Sequence, residues 1–254
     1  MFPYRDENPT ILTPYVTVGI VVVTCLVWLF YQRAGMDPGM TQSVCDLGVI
    51  PGRLFGYPPE PIMTQRGPVT LCPDAVGGWH TILTSIFLHG GWFHLIGNML
   101  FLWVFGNNIE DAMGHARFVG FYLLCGVLAA LAQIMMQRSS PVPMVGASGA
   151  ISGIMGAYLV LYPKARVHML IFLGFFITTI TVPAYIVLLY WLFLQALGSL
   201  PALTGAASGG GVAFLAHVGG FVAGFVLIKL FAKSELVEAH KRRRMVEVHR
   251  RRPW

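Results

Sequence analysis

The 254-residue sequence predicts an all-α membrane protein built from six transmembrane helices. Three observations predict it. Hydrophobic residues make up 56% of the chain and charged residues 11%, where an ordinary soluble domain carries about 25% charged. Six apolar segments approach the roughly 17 to 25 residues that a helix needs to cross the hydrocarbon layer. The remaining charge is uneven, with nine of the 17 Lys and Arg in residues 229–254. A basic run without interleaved aromatics suits an anionic membrane surface better than a nucleic-acid groove, so the expected partner is the lipid bilayer and no nucleic acid.

Residues 1–13, with Arg5, Asp6 and Glu7, read as a short cytoplasmic lead. No small-residue cleavage site closes the apolar run that follows, so residues 14–31 read as a retained first span. The second to sixth spans are placed at residues 93–109, 116–136, 146–162, 183–200 and 211–231, each bounded by charge, Gly or Pro. Together, residues 14–231 form one membrane domain, and residues 232–254 a basic cytoplasmic tail.

Between the fourth and fifth spans, residues 168–182 are apolar but short, β-branched in their second half and ended by Pro183. They read as an interfacial hairpin or a re-entrant piece. Six spans put both termini on one side, with Arg5, Arg117, Lys164, Arg166 and the nine C-terminal cations; Arg33, Arg53, Arg66 and Arg138 lie opposite. The positive-inside rule makes the first side cytoplasmic. The long first outer loop, residues 32–92, is rich in Pro and Gly and reads as a structured, partly embedded connection. Its Cys45 and Cys72 have no metal-ligand spacing, which leaves a loop disulfide open to them and predicts no metal site. No internal repeat is visible, which argues against an inverted-repeat transporter.

Polar groups in hydrocarbon are costly unless partnered, so the few inside these spans carry the functional information. No Asp or Glu falls within the predicted spans. His94 and Asn98 begin the second, Ser148 and Ser152 the fourth, and His217 lies early in the sixth; Gln133 and Gln195 complete the set. The second, fourth and sixth helices all enter from the outer side, so His94, Ser148 and His217 share one shallow layer.

Gly149, Gly153 and Gly156 recur at i, i+4, i+7 beside Ser148, and His217, Gly220 and Gly224 lie on one helix face at i, i+3, i+7. Small residues let helix backbones approach closely. Packing of the fourth helix on the sixth through these glycines would bring Ser148 and His217 within hydrogen-bond reach, the arrangement that activates a serine nucleophile. Ser148 follows Gly146 at a helix start, where backbone N–H groups lack intrahelical acceptors. With His94 and Asn98, one helical turn apart, that amide could form an oxyanion hole. Singly, a serine at a glycine-rich helix start is usually a cap and Asn98 reads as interhelical glue, whereas a membrane-buried His is a functional candidate by default whose bland reading is a bond to a backbone carbonyl; their common layer favours chemistry.

Rival hydrolase chemistries fail on sequence. No His is followed by Glu, as a His-Glu-x-x-His zinc helix needs, and no pair of carboxylates lies in the predicted spans. A soluble nucleophile elbow would need glycine where Ala150 stands. No cofactor is expected.

Gly146-Ala147-Ser148-Gly149, His94-x-x-x-Asn98 and Ala216-His217-Val218-Gly219-Gly220 with Gly224 resemble the rhomboid family of intramembrane serine proteases, and the likeness spans residues 79–230. Thr84 to Leu88, Gly106, Glu110, Gly114 and Arg117 add to it. The resemblance implies a six-helix rhomboid-like bundle with Ser148 as nucleophile and His217 as general base and then acid. It implies oxyanion donation by His94, Asn98 and the Ser148 amide, and cleavage of single-span membrane proteins without a cofactor.

The chain departs from the family in three places. Ser152 stands where many members carry an aromatic packed on the catalytic His, Trp79 is followed by His80 rather than Arg, and residues 168–182 exceed the linker of minimal members. A silent rhomboid-like protein that binds membrane helices is the alternative, and it would ordinarily lack the nucleophile or the base. Gating is expected at the fifth helix and the glycine-rich residues 204–211, including Gly209 and Gly210.

Overall fold

The computed structural model describes residues 2–64, 67–173, 176–203 and 213–250. Strand β1 (Phe2–Asp6) leads to helix α1 (Tyr15–Leu26), which widens into a π-helical turn (Val27–Tyr31). The long connection that follows holds α2 (Gly39–Leu47), α3 (Pro51–Leu54), the small hairpin β2 (Ile62–Thr64) and β3 (Gly67–Val69), and the single turn α4 (Thr81–Thr84). Then come α5 (Trp92–Met113), α6 (His115–Met136), α7 (Ser148–Leu161), strands β4 (Arg166–Leu173) and β5 (Phe176–Pro183), α8 (Ala184–Leu203), α9 (Phe214–Phe231) and α10 (Ser234–Arg250).

Helices α6, α8 and α9 are each long and apolar enough to cross a membrane, and α5 with the helical turn before it forms a pair bent by 90°, a broken span or a re-entrant loop. Tyr15–Tyr31 and α7 are shorter apolar helices. Large apolar side chains such as Phe30, Phe93, Tyr190 and Leu230 stand exposed on these helices. Lipid tails are as apolar as such side chains, so exposure costs little there, and the chain is a multi-pass membrane protein.

Helix α7 is buried without interruption from Gly149 to Tyr158, and α6 and α9 pack closely on it. Glycine permits the approach. A Cβ on Gly220 would overlap the Gly149 carbonyl oxygen, one on Gly224 the Gly153 carbonyl oxygen, and one on Gly156 the Phe221 carbonyl oxygen. The two helices therefore meet backbone to backbone. Between α5 and α6, Gly114 adopts φ +78°, in the left-handed region that the reversal needs.

Four features differ from the sequence reading. The second span is longer than residues 93–109: α5 continues to Met113 and carries Glu110 and Asp111 into the fold, fully buried. Their charge is tolerated because it caps backbone. Glu110 accepts the N–H groups of Val16 and Thr17 and the Thr17 hydroxyl, and Asp111 accepts those of Ile11 and Leu12. The first turn of α1, whose N–H groups have no intrahelical acceptors, is thus satisfied from α5.

The chain is also not wholly helical. Residues 168–173 and 176–182 take the hairpin of their two expected readings, in strands β4 and β5 paired from Arg166↔Pro183 to Leu173↔Phe176, and β1 adds antiparallel to β4. A β-branched run ended by proline favours a strand over a helix, and β1 covers the edge of β4 that β5 leaves open.

The basic C-terminal segment, to which the sequence reading gave no secondary structure, forms α10. His240, 1% exposed, places Nδ1 3.1 Å from Asp111 Oδ2 and Nε2 2.9 Å from Asn8 Oδ1, and its ring lies on Tyr162. Asp111 thereby ties both ends of the chain to α5.

The fourth helix is shorter than its predicted span, starting at Ser148 itself. Residues 204–211, where gating is expected, fall outside the described residues.

The first long connection is braced toward the start of α7. A disulfide joins Cys45 to Cys72, Arg53 donates to the Cys72 and Pro73 carbonyls, and Thr84 Oγ1 donates to the Leu47 carbonyl. Val49 and Met144 exchange a pair of backbone hydrogen bonds of 3.0 and 2.7 Å, which holds the strand-like approach to Ser148.

Candidate active site

Ser148 is the first residue of α7 and His217 lies in the first turn of α9. The glycine seam between these helices brings Ser148 Oγ to 2.7 Å from His217 Nε2, a hydrogen bond between residues 69 positions apart. Packing sets this distance. Neither α7 nor α9 could hold it if a Cβ at Gly156, Gly220 or Gly224 pushed the helices apart.

His217 is held from α8. Gln195 Oε1 lies 2.8 Å from His217 Nδ1, and the Trp191 ring packs against the imidazole with centroids 5.7 Å apart. Ser152, one turn after Ser148, donates its hydroxyl to the Ser148 carbonyl at 2.6 Å. Gln133 works from α6: its Oε1 accepts the Ala216 N–H and its Nε2 donates to Gln137 Oε1.

His94 approaches from α5. The Gly90 N–H donates to His94 Nδ1 at 3.2 Å, so a neutral ring carries its proton on Nε2. That side of the ring faces Gly146, where a Cβ would stand 2.8 Å from both Cε1 and Nε2. Gly146 has φ +127° and donates its N–H to the Ser85 carbonyl, so glycine here serves both the backbone turn and the close approach of His94. Asn98 Nδ2 donates to the His94 carbonyl at 2.9 Å, which leaves its second amide hydrogen for another acceptor. A small cavity beside Ser148 is lined by Ser85, Met144, Val145, Gly146 and Ala213.

The structure therefore gathers Ser148, His217, His94 and Gly146 around one point, with Asn98 behind His94. Gly149, Gly153, Gly220 and Gly224 sit in the helix seam. Among the described residues, no three His, Cys, Asp or Glu side chains gather as a metal site.

Three neighbours have no role in the sequence reading. Trp191 and Gln195 stand one turn apart on α8, a spacing visible in sequence, but nothing in sequence says that this face meets α9. His89 is fully buried edge-to-face on His94, with its backbone N–H and carbonyl both bonded to the Gln32 side chain. It precedes α5, outside the predicted spans in which a polar residue stands out.

The Rhomboid domain family model matches residues 76–234, more than half of the chain. Rhomboid protease GluP of Bacillus subtilis is 44% identical over 85 residues, 34% of this chain and 16% of that protein. Rhomboid protein 1, mitochondrial, of Saccharomyces cerevisiae is 34% identical over 103 residues, 39% of this chain and 30% of that protein. The putative rhomboid protease YdcA of Bacillus subtilis is 34% identical over 107 residues, 41% of this chain and 53% of that protein. The chain thus spans about half or less of the length of these relatives.

Proposed function

The chain belongs to the rhomboid family, and from that membership we propose that it is an intramembrane serine endopeptidase in which Ser148 and His217 form the catalytic dyad. The observation that carries this reading is the 2.7 Å hydrogen bond between Ser148 Oγ and His217 Nε2. His217 Nε2 takes the Ser148 proton as Oγ attacks the scissile carbonyl carbon. The carbonyl oxygen gains negative charge and is met by His94 Nε2–H, the free Asn98 amide hydrogen and the Ser148 N–H. His217 then returns the proton to the leaving amine, the C–N bond breaks, and an acyl-enzyme remains on Ser148. Water, deprotonated by His217, attacks the acyl carbon and releases the acid and the free serine. No cofactor enters these steps.

The substrates are transmembrane proteins cleaved within or near the bilayer. α7 has 14 residues and rises about 21 Å, less than the roughly 30 Å of hydrocarbon. With its far end at the cytoplasmic surface, Ser148 lies below the outer surface, beneath an opening on that side. A scissile carbonyl within an intact helix is occupied by its own hydrogen bond, so small or helix-breaking residues are expected at the cleavage site. The topology proposed is six spans, formed by α1, α5, α6, α7, α8 and α9, in the cell membrane with both termini cytoplasmic.

The test is cleavage of a single-span reporter in liposomes by wild type, Ser148→Ala and His217→Ala, each verified as folded. Activity in wild type and loss in both variants is the expected result. A wild-type protein that neither cleaves nor reacts at Ser148 with a fluorophosphonate probe would instead be a rhomboid-like binder of membrane helices.

A further inference from the structure

Helix α8 contributes no reacting atom, yet it reaches His217 with two side chains one turn apart. Gln195 Oε1 is 2.8 Å from Nδ1, and the Trp191 ring covers the imidazole and stacks along Phe221, one turn farther on α9. Building on the roles given above to Ser148 and His217, we propose that Gln195 is a positioning residue. Its amide oxygen accepts the Nδ1 proton of His217 and selects the tautomer whose Nε2 lone pair faces Ser148, while Trp191 holds the ring in that plane.

A neutral imidazole has one N–H and one lone pair, so a base at Nε2 requires its proton on Nδ1 and an acceptor there. Serine hydrolases in water commonly use a carboxylate for this. In hydrocarbon a carboxylate is expensive to desolvate, whereas an amide oxygen accepts the same proton without a buried charge. When His217 takes the Ser148 proton, the Nδ1–H to Gln195 bond becomes charge-assisted and strengthens. It therefore favours the transition state over the resting state.

The same α8 face answers the departure at Ser152. That hydroxyl bonds the Ser148 carbonyl within α7, and the aromatic contact to His217 comes from Trp191 instead. The orientation of the catalytic ring thus depends on how α8 packs against α9.

The opposite orientation of the Gln195 amide would donate to Nδ1 and leave the imidazole proton on Nε2, where it cannot accept from Ser148. Side-chain replacement separates the two. Gln195→Glu can accept at this position, and Gln195→Leu offers no polar partner. Measured quantities are the rate of fluorophosphonate labelling at Ser148, kcat and KM for reporter cleavage, and thermal unfolding in detergent.

We expect Gln195→Leu to lower labelling and kcat by about 10- to 100-fold with KM within about twofold, and Gln195→Glu to restore most of the rate. A labelling rate in Gln195→Leu equal to wild type would overturn the assignment, as would an active Leu variant beside an inactive, folded Glu variant. If Gln195→Leu fails to fold, Gln195→Met replaces it at nearly the same volume.

The 15N resonances of His217 in Ser148→Ala protein supply a readout independent of turnover. Protonation at Nδ1 that is lost in the Gln195→Leu background supports the proposal, and protonation at Nε2 contradicts it. A wild type that shows the Nδ1–H tautomer but no labelling of Ser148 refutes the protease reading and leaves the Gln195 contact standing.

Discussion

The Glu110 carboxylate closes on Thr17 twice over: Oε2 accepts the Thr17 backbone N–H at 2.8 Å and its hydroxyl at 2.7 Å, while Oε1 takes the neighbouring Val16 N–H at 2.9 Å. The end of α5 thus serves as the N-cap that Pro14, before α1, cannot provide with a side-chain hydrogen bond. Removing the carboxylate strands three donors, the two of Thr17 buried. Glu110→Ala is expected to destabilise the protein by about 3 kcal/mol or more, with a smaller loss for Glu110→Gln, which keeps one acceptor oxygen. Thermal unfolding in detergent measures both; equal, small effects would mean that α1 does not rely on this cap.

The seam between α7 and α9 predicts a steep dependence on side-chain size. Gly220→Ala puts a methyl into the Gly149 carbonyl and is expected to cost about 1–3 kcal/mol and to slow labelling of Ser148 by lengthening its hydrogen bond to His217. Gly97, on α5, has open space where its Cβ would be, so Gly97→Ala should stabilise by about 0.5–1 kcal/mol through helix propensity alone. The informative result is the contrast. Similar shifts in the two variants would show that close backbone approach does not govern Gly220.

His94 and Asn98 are separable although they share a helix. His94 directs its Nε2 side at Gly146, whereas Asn98 has committed one amide hydrogen to the His94 carbonyl. Loss of one preorganised oxyanion donor typically costs about 10²–10³ in kcat. His94→Ala should fall in that range and Asn98→Ala should lose less, with little change in KM for either. A larger loss for Asn98→Ala in single-turnover acylation would reverse the assignment of the principal donor.

Asp6 makes part of the stability depend on pH. Burial pushes its carboxyl up to about 6 from the ordinary 3.8, against the lowering effect of the Tyr158 hydroxyl, which donates to Oδ2 at 2.6 Å. The folded chain then holds this proton more tightly than the unfolded chain. The ionised group costs stability above pH 6, and the cost fades as the pH falls from 6 to 3.8. At neutral pH it is about 2–3 kcal/mol. Asp6→Asn keeps an acceptor for Tyr158, so it should raise the melting temperature at pH 7.5 and lose most of that advantage at pH 4. An advantage that is the same at both values would exclude the ionisation of Asp6 as its source.

The membrane class, the apolar helices and the candidates Ser148 and His217 are legible in the sequence because each rests on a local rule. Span length follows from hydrocarbon thickness, glycine spacing reports where backbones can approach, and a polar side chain in an apolar run stands out. The missed features all rest on distant partners. Glu110 and Asp111 look like residues beyond the end of a span until the N–H groups of residues 11–17 are laid against them, about 100 positions away. β1 finds β4 more than 160 residues later, and His240 finds Asn8 across 232.

Composition and periodicity by themselves determined that this chain enters a membrane as apolar helices and carries a serine and a histidine on two glycine-faced ones. Tertiary structure alone decided that Gln195 and Trp191 turn toward His217 instead of lipid. An aromatic or an amide on an apolar helix reads the same whichever neighbour it meets. The physical reason is that helical periodicity encodes which residues share a face, whereas the partner of that face is chosen by the packing of all the helices together.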